Sequence, residues 1–159
     1  MSQALQDRLV ELGSTVATAE SLTGGALAVR LTQLPGSSDV FLGGVVAYAT
    51  EVKESVLGVP EQVVREHGVI SGECAVAMAS GVRDLLSATY GLSTTGVAGP
   101  EPQEGQPPGT VWIAVAGPEG VETRLLELEG DRTDVQSATC DEALSLLGGI
   151  LRMEGSVLG

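Results

Sequence analysis

The sequence predicts an α/β fold, a three-layer α/β/α domain with a mixed, mainly parallel sheet and a C-terminal hairpin plus helix. Three observations carry that prediction. From the N-terminus to Val97, short β-branched or apolar runs alternate with stretches of helical periodicity, the order that builds a layered sheet with crossover helices. Thr110 to Ala116 is then a nearly continuous apolar run, as expected of an inner strand covered on both faces. Gly117-Pro118-Glu119-Gly120 marks a turn, so Val121 to Glu129 reads as a hairpin partner. At 159 residues the chain is one domain by length, 1–159, with a tail over 154–159 that is expected to fray.

Each element follows from its local pattern. Gln3 to Gly13 reads as a helix, with Leu5, Leu9 and Leu12 at helical spacing and Gly13 as its stop. Thr15 to Ala19 is short and begins with β-branched residues, a buried strand. Thr23 to Leu34 follows as a helix with Leu27, Leu31 and Leu34 on one side, ended by Pro35-Gly36. Phe41 to Ala49 is a strand on the strength of Val45, Val46 and Tyr48. Thr50 suits the cap of a short helix to Leu57, which places Lys53 in its first turn, and Gly58 ends it. Pro60 opens another short helix to Gly68. Ser71 caps a helix reaching Tyr90, with Ala75, Ala79, Val82, Leu85 and Leu86 as its apolar stripe. Leu92 to Val97 is a strand, and the Pro/Gly-rich segment after it, Glu101 to Gly109, is either a connector or a lid, the connector being the simpler reading. Asp131 caps the last helix, whose inner face carries Val135, Thr139, Leu146, Leu147 and Ile150.

Composition narrows the function. Apolar residues at 43% describe a compact domain, and aromatics at only 3% leave its core to Val, Leu, Ile and Ala. The formal charge of −13, from 8 basic and 21 acidic side chains, repels a phosphate backbone. With no basic run and few aromatics for stacking, no direct nucleic-acid partner is expected. Cys74 and Cys140 are too few and too far apart for a disulfide framework or a zinc site, and both read as core. No signal-peptide pattern opens the chain and no apolar run reaches membrane-spanning length, so a cytoplasmic protein without a membrane partner is expected. A domain this poor in aromatics is expected to form a homo-oligomer, a dimer most simply, through an exposed apolar helix face.

The stretch richest in chemistry is Ala19-Glu20-Ser21-Leu22-Thr23-Gly24-Gly25. It places a hydroxyl where a strand hands over to a helix, beside glycines that let backbone N–H groups gather around an anion. Ser21 is either a helix-capping serine or an exposed nucleophile. Glu20 beside it serves either as a base or as an acceptor for backbone N–H groups at the corner. Lys53 is the only lysine and His67 the only histidine, so a nitrogen base for Ser21 has two candidates.

Four separated motifs resemble one family: Thr18-Ala19-Glu20-Ser21-Leu22-Thr23-Gly24-Gly25, Tyr48-Ala49-Thr50-Glu51-Val52-Lys53, Thr95-Gly96-Val97-Ala98-Gly99-Pro100 and Gly109-Thr110-Val111-Trp112, with a shorter match at Gly130-Asp131-Arg132. In order and spacing they resemble the CinA C-terminal domain, the competence/damage-inducible family that includes bacterial nicotinamide mononucleotide deamidases. Members are often fused behind a molybdopterin-binding-like domain, and this chain looks like the stand-alone form. The resemblance implies an amidohydrolase of pyridine-nucleotide salvage that converts the nicotinamide carboxamide to a carboxylate and releases ammonia, with a small nucleotide as substrate. No cofactor is expected, and no metal either, since the sole histidine excludes a multi-His zinc site and no carboxylate cluster stands out in the sequence. The resemblance also implies a Ser/Lys mechanism, with Ser21 as nucleophile and Lys53 as base.

That mechanism sets chemical requirements. A free lysine near pKa 10.4 is neutral only about once in 2,500 molecules at pH 7, so its pKa must fall by roughly three units, through burial or helix N-terminal dipoles. Neither Glu51 nor Glu54 can pair with it without keeping it charged. Acyl transfer needs oxyanion donors, for which the N–H groups of Leu22, Thr23, Gly24 and Gly25 are the candidates. Tyr48 is a candidate to relay a proton or orient Lys53. Thr95, Gly96 and Gly99 are candidates for a wall that fits ribose or phosphate, and Arg132 for the 5′-phosphate. Family members often carry a second basic residue downstream of Gly-Asp-Arg, where this chain has Gln136. The rival readings are a non-catalytic nucleotide-binding or competence-related regulatory domain, and an amidase for another small amide.

Overall fold

A computed structural model of the chain describes residues 1–158, with side chains through Arg152. The tail expected to fray, 154–159, lies outside the fully described residues. The elements are α1 (Gln3–Leu12), β1 (Val16–Glu20), α2 (Ala26–Leu31), β2 (Phe41–Val46), α3 (Thr50–Ser55), α4 (Glu61–His67), α5 (Gly72–Leu86), β3 (Tyr90–Gly96), β4 (Thr110–Gly117), β5 (Gly120–Glu127) and α6 (Arg132–Leu158). The strands form a five-stranded mixed sheet in the order β2-β1-β3-β4-β5. β1 runs parallel to both β2 and β3, with Ala19 between Val45 and Ser93. β3–β4 and β4–β5 are antiparallel, the second pair being the hairpin that precedes α6.

Alternation along the strands sorts the core into two layers. On one face Val16, Leu92, Val111, Ile113 and Val115 pack with Leu9 of α1, Leu27 and Leu31 of α2, and Val135 and Leu147 of α6. On the other, Ala17 and Ala19 pack with Met78 and Val82 of α5, and Ala114 and Ala116 with Ala75 and Ala79. Small residues bring α5 close to the sheet: a Cβ at Gly91 would run into the Ala79 carbonyl and Arg83. The expected three-layer fold is therefore present.

Several boundaries differ from the sequence reading. α2 starts at Ala26 rather than Thr23, because Gly24 and Gly25 turn the chain at φ 57° and 106°, outside the helical region. β2 stops at Val46, short of Ala49. Ala49 rather than Thr50 caps α3, which is only six residues long and holds Lys53 in its last turn, not its first. α5 ends at Leu86, because Ser87 adopts φ 53°, and Tyr90 opens β3 instead of closing the helix. The topology places the site: the chain leaves β1 toward β2 and leaves β3 toward β4, in opposite directions along the sheet. A crevice opens between such diverging connections at the carboxyl ends of the two strands.

Candidate active site

Ser21 lies one residue beyond β1, at that crevice. Its N–H donates to the Thr94 carbonyl at 3.0 Å, continuing the pairing with β3. The Gly24 N–H donates back to the Ser21 carbonyl at 3.0 Å, which closes the corner. Glu20 anchors the corner from within the core. Its buried carboxylate accepts from the N–H groups of Leu27 (2.8 Å) and Ala28 (3.1 Å) and from the Thr23 hydroxyl (2.6 Å). Of the two roles open to Glu20, the structure uses it to satisfy the backbone at the start of α2.

Lys53 reaches Ser21 from across the crevice, 32 positions away in sequence. Its Nζ lies 2.9 Å from Ser21 Oγ and donates to the carbonyls of Ala47 at 2.7 Å and Tyr48 at 3.2 Å. The end of β2 at Val46 explains those acceptors, since it releases the next two carbonyls from the sheet. Lys53 is 2% exposed and makes no ion pair among the described residues. Burial pushes its pKa below the ordinary lysine value, against the smaller opposing influence of Cys74, Glu104 and Glu51. The expected dipole of its own helix is not the cause, since Lys53 sits at the wrong end of α3. The geometry accommodates both protonation states. As an ammonium, Lys53 donates three bonds, one of them to Ser21. As an amine it keeps both carbonyls and turns its lone pair to the Ser21 O–H, which then donates. The second state is the arrangement that a serine nucleophile and its base require.

Ser21 and Lys53 line a cavity of about 390 Å³, together with Leu22, Tyr48, Thr95, Gly96, Gly99 and Arg132. Eight of the residues singled out in the sequence thus meet at one place. Thr23, Gly24 and Gly25 do not line it. Thr23 holds Glu20, and the glycines supply the turn. Among the described residues the N–H groups of Leu22, Thr23 and Gly25 have no acceptor, whereas that of Gly24 is engaged by Ser21.

The Tyr48 side chain is exposed and its hydroxyl accepts from Arg132 Nη2 at 2.7 Å; only its carbonyl meets Lys53. Arg132 also donates from Nη1 to the Gly99 carbonyl at 2.6 Å, so it bridges two walls of the cavity, and its other three N–H groups have no acceptor among the described residues. The Thr95 hydroxyl donates to the Val69 carbonyl at 2.6 Å, which ties the chain between α4 and α5 against β3. Glu104 accepts from the N–H of Ile70 at 2.9 Å, and the Gln106 amide donates to the Ile70 carbonyl at 2.9 Å. The segment 101–109 is therefore more than a connector: it is pinned as a wall, with Glu101 and Gln103 facing the cavity. His67, exposed beside Glu66 and Glu73, does not line the cavity, so of the two candidate nitrogen bases only Lys53 adjoins Ser21. Cys74 and Cys140 are buried, and burial pushes each thiol up to about 11, so both stay protonated core residues.

Two contributions escaped the sequence reading, and a third residue, named there only as a departure from the family pattern, makes a contact that the pattern did not show. Thr94 receives the Ser21 N–H, and Val69 and Ile70 form an apolar wall; no local signal marks either. Gln136 donates from Nε2 to the Leu22 carbonyl at 2.9 Å. Its position four residues after Arg132, on the same helix face, was a usable signal.

A family model described as the CinA C-terminal domain matches residues 1–151. A CinA-like protein of Frankia casuarinae is 54% identical over 139 residues, 87% of this chain and 32% of that protein. One of Myxococcus xanthus is 45% identical over 146 residues, 89% of this chain and 34% of that protein. The chain thus spans about a third of the length of these curated relatives. Among solved structures, a competence-damaged protein (CinA) superfamily protein of Klebsiella pneumoniae superposes with a TM-score of 0.91 at 33% identity, covering 94% of each chain. The competence/damage inducible protein CihA of Agrobacterium tumefaciens gives 0.88 at 33% identity, covering 94% of this chain and 92% of its own.

Proposed function

We propose, on the premise that this chain belongs to the CinA C-terminal domain family, that it is an amidase hydrolysing nicotinamide mononucleotide to nicotinate mononucleotide and ammonia in pyridine-nucleotide salvage. The single observation that carries the reading is the buried Lys53 amine 2.9 Å from Ser21 Oγ, its other hydrogen-bonding directions taken by two carbonyls. In this mechanism Ser21 Oγ attacks the carboxamide carbon as its proton passes to Lys53 Nζ. The resulting oxyanion is taken by N–H groups of the corner that have no acceptor among the described residues, those of Leu22 and Thr23 being nearest to Ser21 in sequence. Lys53 then protonates the departing nitrogen, the C–N bond breaks and ammonia leaves an ester on Ser21. Water attacks that ester, gives its proton to Lys53 and releases the carboxylate, and Lys53 returns the proton to Ser21. Arg132 is the cation for the 5′-phosphate, and the cavity volume of about 390 Å³ suits a mononucleotide.

The test is ammonia release from nicotinamide mononucleotide by the purified protein, with Ser21→Ala and Lys53→Met as controls. Turnover is expected in the wild type and a loss of at least about 10³-fold in each variant. Binding of the mononucleotide without turnover would replace the amidase with a nucleotide-binding regulatory domain. Activity unchanged in Ser21→Ala would remove the mechanism.

A further inference from the structure

Gln136 takes no part in the mechanism above, yet its side chain reaches from α6 to the Ser21 corner. Its Nε2 donates to the Leu22 carbonyl at 2.9 Å from a half-buried position. The sense of the amide is fixed chemically, since a carbonyl accepts and only the NH₂ end can face it. The Leu22 carbonyl belongs to the same peptide plane as the Thr23 N–H, which has no acceptor among the described residues. A bond to the oxygen of a peptide orients that plane and polarises its N–H.

We propose that Gln136 is a positioning residue that aims the Leu22–Thr23 peptide, so that its N–H serves as an oxyanion donor beside Ser21. This rests on the proposed Ser21 chemistry, but not on the identity of the substrate. The geometry supports it at both ends. Glu20 grips the Thr23 hydroxyl at 2.6 Å and the Ser21 N–H is held by Thr94 at 3.0 Å, so the corner is fixed on either side of this peptide. Gln136 supplies the remaining restraint, on the peptide's own oxygen, and it links the corner to the helix that also carries Arg132.

The test uses Gln136→Leu, which removes the donor at similar size, and Gln136→Glu, whose carboxylate faces the Leu22 carbonyl at neutral pH. Two readouts are taken: steady-state kinetics with nicotinamide mononucleotide, and the rate at which a fluorophosphonate, whose P–O oxygen occupies the oxyanion position, modifies Ser21. Both kcat and the modification rate are expected to fall about tenfold in Gln136→Leu and further in Gln136→Glu, with KM within twofold, a smaller loss than deleting an oxyanion donor outright. Thermal unfolding identifies any variant that fails to fold, and the other then decides. An unchanged modification rate in a folded variant would overturn the proposal. So would a raised KM with unchanged kcat, which would make Gln136 a substrate contact. If the wild type turns over no mononucleotide but reacts with the fluorophosphonate, the substrate assignment fails while the modification rates still judge Gln136.

Discussion

At the scale of single residues, Ser21 and Lys53 were unequally legible. Ser21 was visible because a hydroxyl between a strand and a Gly-Gly turn is a local pattern, and local patterns are what sequence spacing records. Its meeting with Lys53 depends on where β2 ends and how α3 packs, 32 positions away, and only the resemblance pointed to it. Of the two causes open to the lysine's lowered pKa, burial or a helix dipole, burial acts, since Lys53 sits in the last turn of α3. Two predictions belong here. First, kcat rises with pH as Lys53 loses its proton, with an apparent pKa below the ordinary lysine value of about 10.4; the pH–rate profile of the wild type measures it. Second, because the Lys53 pKa is lower in the folded chain than in the unfolded one, the unfolded chain binds more protons between the two values, and stability rises with pH. Denaturant titrations should therefore show the wild type gaining stability relative to Lys53→Met as pH climbs from the folded value toward about 10.4.

At the scale of elements, the corner between β1 and α2 works because one buried carboxylate closes it. Glu20→Gln replaces an acceptor oxygen with an NH₂ that must face an N–H or the Thr23 hydroxyl. The expected loss is about 1–3 kcal/mol of stability, read from urea unfolding. The start of α6 acts on the same cavity through Arg132, which bridges Tyr48 and Gly99. If its other three N–H groups take the phosphate, Arg132→Met raises KM for nicotinamide mononucleotide by about tenfold or more while leaving turnover of the phosphate-free riboside little changed. Equal effects on both substrates would place the phosphate elsewhere. Element existence and order were well specified by periodicity and by Gly and Pro punctuation. Ends were less so, because α2 and α5 stop or start where individual residues adopt left-handed backbone that composition does not announce: Gly24 and Gly25 before α2, and Ser87 after α5.

At the scale of the whole molecule, the layers set how deeply Lys53 is buried. The sheet contributes the crevice, and the α4–α5 connection, held by Thr95, Glu104 and Gln106, closes one side of it. The alternation of strands and helices made this architecture legible, whereas the pinning of 101–109 onto Ile70 was not, since its bonds join residues more than thirty positions apart. α5 must lie against β3 for the layers to close, so Gly91→Ala, which drives a methyl group into the Ala79 carbonyl, is expected to lose the cooperative unfolding transition or lower its midpoint sharply. The most direct test of the central claim uses the fact that Lys53 is the only lysine. Protein labelled with ¹³C at lysine Cε gives one resonance from this side chain, and its pH titration reads Lys53 alone. A midpoint clearly below about 10.4, retained in Ser21→Ala because burial is its cause, is the predicted result. A midpoint at or above about 10.4 would leave Lys53 charged beside Ser21 at neutral pH and contradict the account.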